Sequence, residues 1–199
     1  MYFWNVNEDT FITIAETSTS KYVDRKSVFY AFAIPVDNED IVDEHLKKLR
    51  KKYYDARHIC YAFCLNADKS ISRSSDNGEP SGTAGRPMMG VIQSHNLTNI
   101  LLVAVRYFGG IKLGTSGLIE AYRTVSELAI SQARIITKTE DATYTFKFDY
   151  AQMNKVMSTV KAYKLKVLES SYDMVCYIKV SGPKSAIAQL QTLIADAKE

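Results

Sequence analysis

Polar and apolar positions alternate along His58–Asn66, where Ile59, Tyr61, Phe63 and Leu65 fall on one face. A period of two predicts a strand. Thr10–Ala15 and Ser27–Pro35 are rich in β-branched and aromatic residues and also read as strands, with Lys69–Ser74 placed to return as a hairpin partner to 58–66. Asn99–Phe108 reads as a buried strand. The period becomes helical from Asp37 to about Tyr54, with Asp37 or Asn38 as cap and Ile41, Leu46, Leu49 and Tyr53 close to one stripe. A short helix starting at Ser81 or Thr83 carries Met88, Met89, Val91 and Ile92. A longer helix over Leu118–Ala133 aligns Leu118, Tyr122, Val125 and Ala129.

The register changes near Lys138. Thr143–Tyr150 alternates, placing Tyr144, Phe146, Phe148 and Tyr150 on one face. A helix to about Tyr163, strands near Leu165–Ser170 and Met174–Val180, and a last helix with Pro183 in its first turn, running to about Ala197, complete a β-α-β-β-α order. This is most of a ferredoxin-like split βαβ unit without its final strand. A boundary in the polar stretch at about 136–141 divides the chain into domains 1–138 and 139–199. The fold class expected is α+β, with neither internal repeats nor low-complexity segments.

Composition narrows the classes. A chain of 199 residues, 46% hydrophobic and 24% charged, holds one large core or two small ones. Its formal charge of +3 permits a nucleic-acid partner without the strong basic signature of a dedicated one. Met1-Tyr2-Phe3-Trp4-Asn5 lacks a basic leader region, and no apolar run approaches the roughly 20 residues that span a bilayer. Cys60, Cys64 and Cys176 cannot all pair with one another. The expectation is a reduced, cytoplasmic, soluble protein with no membrane partner.

Eight of the nine glycines lie between Gly78 and Gly117. Unusual backbone, or close backbone approach, is therefore concentrated there. In "VAVRYFGGIKLGTSGLIEAY" (103–122), Gly109-x4-Gly114 has the glycine spacing of a phosphate-binding loop. Thr115 and Ser116 stand where lysine then serine or threonine belong, however, and Lys112 lies inside the loop, so a Walker A site is not expected. A milder reading keeps the turn's amides, the helix start, Arg106 and Lys112 as an anion site. The alternative is a turn whose glycines serve packing, and spacing leaves the two open. In "RSSDNGEPSGTAGRP" (73–87), Asp76-Asn77-Gly78 signals a turn, Gly82 and Gly85 bracket a helix start, and Arg73 and Arg86 flank it. Ser81 and Thr83 are candidates to cap that helix or to bind a ligand.

"HICYAFC" puts His58, Cys60 and Cys64 on one strand face, but a zinc site wants a second short-spaced pair and none follows. Neither metal nor cofactor is expected. His58 and Cys60 as base and nucleophile would stand parallel on the strand with no orienting third group, so packing is the expected role. Asp76 and Glu79 suit acid–base work and helix capping equally. The strand tyrosines and phenylalanines read as core in preference to a base-stacking platform.

"DARHICYAF" (55–63), "RSSDNGEPSGTAGRPMM" (73–89) and "VAVRYFGGIKLGTSGLIEAY" (103–122) together resemble the YigZ/IMPACT family, over about residues 20–130. The family-motif residues are His58, Cys60, Asp76, Gly78, Glu79, Pro80, Ser81, Gly82, Thr83, Gly85, Tyr107 and Phe108. The family loop usually reads LGxGGLxRAY; here Ser116 replaces a glycine and Glu120 an arginine, removing a positive charge from that helix face. Arg57 stands where threonine is usual, and Val28 follows Lys26-Ser27 where a basic residue is common. The resemblance implies a first domain like domain IV of elongation factor G and a ferredoxin-like second domain. It also implies a link to translation, since eukaryotic members act in translational control through protein–protein contacts, and it brings no established catalytic activity.

The expectation is a non-enzymatic RNA- or ribosome-associated protein. Arg73, Arg86, Arg106, Gly109, Gly110, Lys112, Gly114 and Ser116 are the candidate anion or nucleic-acid contacts. The alternatives are a protein–protein regulatory module, and a small enzyme with an anion pocket at the glycine loops.

Overall fold

The structure is a computed structural model that describes residues 9–172 and 176–195. The predicted strand start at Met174, the predicted helix end at Ala197 and the first five residues lie outside the described residues. Phe11–Lys138 forms one compact unit, and residues on either side of it form a second.

The larger unit is built on a five-stranded antiparallel sheet of β2 (Ser18–Asp24), β3 (Ser27–Pro35), β4 (His58–Leu65), β5 (Ile71–Ser75) and β6 (Ile100–Tyr107), in the order β2-β3-β6-β4-β5. Two further strands, β1 (Thr10–Ile14) and β7 (Ile135–Thr139), pair with each other. Three helices cover the sheet: α1 (Glu39–Lys52), α2 (Gly85–Ser94) and α3 (Gly114–Ser131). The hydrophobic pattern explains this three-layer arrangement. Phe29, Ala31, Ala33, Cys60, Ala62, Leu102 and Ala104 point to α2 and α3, while Ile34, Ile59, Phe63, Leu65, Leu101, Val103 and Val105 point to α1. β6 is buried on both faces, as its unbroken apolar run requires.

The alanines opposite α3 let it lie close to the sheet. Edge strand β2 is tied to that helix by Ser18 and Ser20, whose hydroxyls donate to the carbonyls of Ala129 and Val125, each at 2.7 Å. β2 and β7 escaped the sequence pattern. β2 reads STSKYVD, and two of its inward positions, Ser18 and Ser20, are serines satisfied by helix carbonyls, with Tyr22 the inward ring.

Asn38 caps α1, accepting from Ile41 N at 2.9 Å. Its stripe differs by a residue from the expected one: Val42, Leu46 and Leu49 are buried, while Ile41 and Tyr53 are half-buried. For α2, neither Ser81 nor Thr83 is the cap. Thr83 donates to Pro80 O at 2.7 Å, and Asp76 holds the helix start instead.

The second unit contains β8 (Asp141–Phe148), a single 3-10 turn at Tyr150–Gln152, α4 (Met153–Ala162), β9 (Lys166–Tyr172), β10 (Cys176–Pro183) and α5 (Lys184–Ala195). The sheet order β8-β10-β9 is that of a split βαβ unit lacking its fourth strand among the described residues. Phe146, Phe148, Ile178, Val180, Val156, Val160, Ile187 and Leu190 fill its core. Tyr144 and Tyr150 do not join the buried face; they are 43% and 75% exposed, Tyr150 lying in the 3-10 turn beyond the strand. Pro183 closes β10 opposite Asp141, one residue before α5; a last strand position asks little of its missing N–H. Asp9 accepts from Ser185 N at 3.0 Å at the start of α5.

Candidate functional site

The two glycine stretches meet through a buried ion pair. Arg106, at the end of β6, donates from Nη1 to Glu79 Oε1 at 2.7 Å, with the two side chains 7% and 3% exposed. The same Glu79 oxygen accepts the Tyr122 hydroxyl from α3 at 2.9 Å. Tyr122 in turn lies 3.4 Å from Cys60 Sγ, and Cys60 donates to Asp76 O at 2.9 Å. The network joins β4, β6, α3 and the 76–83 loop below the surface. Burial pushes the Cys60 thiol up to about 12 and raises the Tyr122 phenol as well. A thiol so held stays protonated at neutral pH and is unsuited to nucleophilic attack. His58 Nδ1 lies 3.1 Å from Asn77 O, at the turn it packs against.

The start of α2 is occupied from within. Asp76 Oδ1 accepts from Ala84 N and Gly85 N at 2.9 and 2.8 Å, and Oδ2 accepts from Gly82 N at 2.8 Å. Desolvation raises the Asp76 carboxyl, but the bonds from Gly82, Gly85 and Ala84 outweigh it, and its pKa falls below the ordinary value. An aspartate thus fills the place an external anion would take at this helix.

The start of α3 is different. Leu113 is its cap residue, its first turn holds no acid, and among the described residues no side chain bonds to its first amides. A cavity of about 450 Å³ opens there, lined by Arg57, His58, Glu79, Arg106, Phe108, Lys112, Gly114 and Thr115 among others. Arg57 and Lys112 are exposed cations on its rim. Arg106 forms part of its wall. With Nη1 committed to Glu79 and Nη2 only 3.4 Å from Ser27 Oγ, its Nε has no partner among the described residues.

The glycines of the loop divide by role. A Cβ on Gly109 would come within 2.0 Å of Lys26 C, so Gly109 permits the loop to press against the β2–β3 turn. Gly110 and Gly114 take φ of +86° and +73° with open space beside them. Packing and an open helix start therefore coexist within one turn.

The eight candidate contacts do not form one surface. Arg106, Lys112 and Gly114 line the cavity, with Gly109 and Gly110 in the turn leading into it. Ser116 is exposed in the first turn of α3, outside the cavity wall. Arg73 lies on β5 and pairs with Glu39 of α1 at 2.8 Å. Arg86 lines a separate groove of about 790 Å³ between α2 and α3, together with Arg123. Arg106 is not a free surface charge, because Glu79 answers it inside the protein. Arg57, which was not among the candidates, lines the cavity. Its place depends on the pairing of His58 with Arg106 across β4 and β6, which spacing cannot reveal.

The Impact N-terminal domain family matches residues 25–130. The chain is 32% identical over 174 residues to the IMPACT family member YigZ of Escherichia coli, covering 86% of this chain and 85% of that one. This chain belongs to the IMPACT family. Another IMPACT family member, YvyE of Bacillus subtilis, is 32% identical over 82% of this chain and 75% of its own. A crystal structure of a hypothetical protein, 30% identical, superposes with a TM-score of 0.71 over 94% of this chain and 92% of that one. In this IMPACT protein no group of three or more histidine, cysteine or acidic side chains is placed to hold a metal ion among the described residues. None of the helices among those residues is long and apolar enough to cross a membrane.

Proposed function

We propose that this protein is a non-enzymatic RNA-binding member of the IMPACT family that acts in translation or its regulation, and that it seats an RNA phosphate at the start of α3. The observation that carries the reading is the cavity at that helix start. Among the described residues no side chain accepts from the first amides of α3, and two exposed cations, Arg57 and Lys112, rim the cavity. Helix-start amides and surrounding cations favour negative charge without reading sequence. The link to translation rests on the family resemblance.

The test is co-sedimentation with ribosomes and binding of RNA across a salt series. The variant is Arg57→Ala with Lys112→Ala, since both side chains are exposed. Arg106→Ala is avoided because it would strand Glu79 in the interior. The expected result is affinity that falls as salt rises and falls further in the variant. Absence of binding at low salt, or a variant that binds as the native protein does, would sink the reading.

A further inference from the structure

The α1 face of the sheet is covered by one helix, and the rings beyond its edge are left half-open. Tyr30 and Phe32 of β3 and Tyr53 at the end of α1 line a cavity of about 490 Å³ with Lys21 and Lys52. The rings form a contiguous row. Tyr30 and Tyr53 are stacked with centroids 6.3 Å apart and planes 23° apart, Phe32 lies 5.7 Å from Tyr53, and Tyr107 stands edge-on to Tyr30 at 6.4 Å. Lys21 Nζ sits 5.6 Å from the Tyr30 centroid and Lys52 Nζ 5.3 Å from that of Tyr53. Among the described residues no carboxylate lines this cavity; its other walls are Thr19, Ser20 and Gln132.

Half-exposed rings bordered by cations are the pattern that takes bases and phosphates together, and the acid at the far end of this row, Asp55, is engaged by the Tyr107 hydroxyl at 2.7 Å. We infer that this shelf binds unpaired nucleotides of RNA, stacking bases on Tyr53 and Tyr30 while Lys21 and Lys52 meet the flanking phosphates. The inference takes its RNA partner from the function proposed above, and it narrows that partner to single-stranded segments. The lysines lie over ring faces that a base would cover. Both are exposed, and their long stems let the ammonium groups swing out to the strand. A duplex has its bases stacked inside and would use the α3 seat alone.

The experiment measures fluorescence anisotropy of a labelled single-stranded RNA and of a duplex of equal length, at fixed salt, with the full chain. The native protein is expected to hold the single strand about tenfold more tightly, the scale of one stacked base. Tyr53→Ala should remove that advantage and leave duplex affinity unchanged, while Tyr53→Phe should keep it. If Tyr53→Ala fails to fold, Lys21→Ala with Lys52→Ala should lower single-strand affinity and reduce the magnitude of its salt slope by about 1.4. Equal affinity for the two forms, an unchanged Tyr53→Ala, or equally effective competition by polyglutamate overturns the shelf. If duplex binding still weakens in Arg57→Ala with Lys112→Ala, the α3 seat survives that outcome. Binding of neither RNA overturns both.

Discussion

Gly109 and Gly90 make opposite demands on an added methyl group. At Gly109 a Cβ would meet Lys26 backbone at 2.0 Å, so Gly109→Ala should cost about 2–3 kcal/mol in denaturant unfolding. At Gly90, on the exposed side of α2, a Cβ meets nothing within 4 Å, and Gly90→Ala should stabilise by up to about 1 kcal/mol. Both residues look alike in the glycine-rich sequence; only the approach of the β2–β3 turn separates them. Glu79 is the other decisive residue. Glu79→Ala removes the acceptor shared by Arg106 and Tyr122 and leaves a buried guanidinium unpaired, an expected loss of about 3–5 kcal/mol in the same measurement. A loss below about 1 kcal/mol would mean that water or another group replaces it. The sequence left Asp76 and Glu79 as interchangeable carboxylates. Three-dimensional pairing divides them, one to a helix start and the other to an interior arginine.

The starts of the helices carry the account at the scale of elements. α1, α2 and α5 begin beneath an oxygen of Asn38, Asp76 and Asp9, and α4 runs on from a turn capped by Asp149. Among the described residues, no side-chain oxygen caps the start of α3. Asp76→Ala should destabilise the protein by about 2–4 kcal/mol, since three amides lose their acceptor. The pH dependence has a definite sign. The carboxyl is depressed in the folded state, so its contribution is present above the unfolded value of roughly 3.9 and is lost as pH falls through the folded one. The gap between native and Asp76→Ala stabilities should therefore narrow in acid; a constant gap from pH 7 to 2 would contradict the assignment. Element types were legible wherever hydrophobic periodicity was strong, as in β3, β4, β6 and α3. β2 was not, because serine–carbonyl bonds hold two of its three inward positions, leaving Tyr22 as the apolar one. The cap of α2 was also hidden, because it comes from six to nine residues upstream of the amides it holds.

For the whole molecule, the sequence motifs identified the family, but they could not place the candidate binding charges. Arg73, Arg86 and Arg106 flank glycines along the chain, yet the fold sends them to α1, to the α2–α3 groove and into the interior. Antiparallel pairing of β4 with β6 brings Arg57 to the cavity instead. The modest formal charge of +3 is thus less informative than where its exposed members lie. Removing Arg57 and Lys112 together should reduce the magnitude of the salt slope of RNA binding by about two. An unchanged slope would place the phosphate contacts elsewhere. The most direct test of the central claim follows backbone amide resonances while inorganic phosphate and then a short RNA duplex are added. Shifts should concentrate at Gly114, Thr115, Ser116 and Gly117, with Gly82, Ala84 and Gly85 silent beneath Asp76. Shifts at the start of α2, or none at the start of α3, would contradict it.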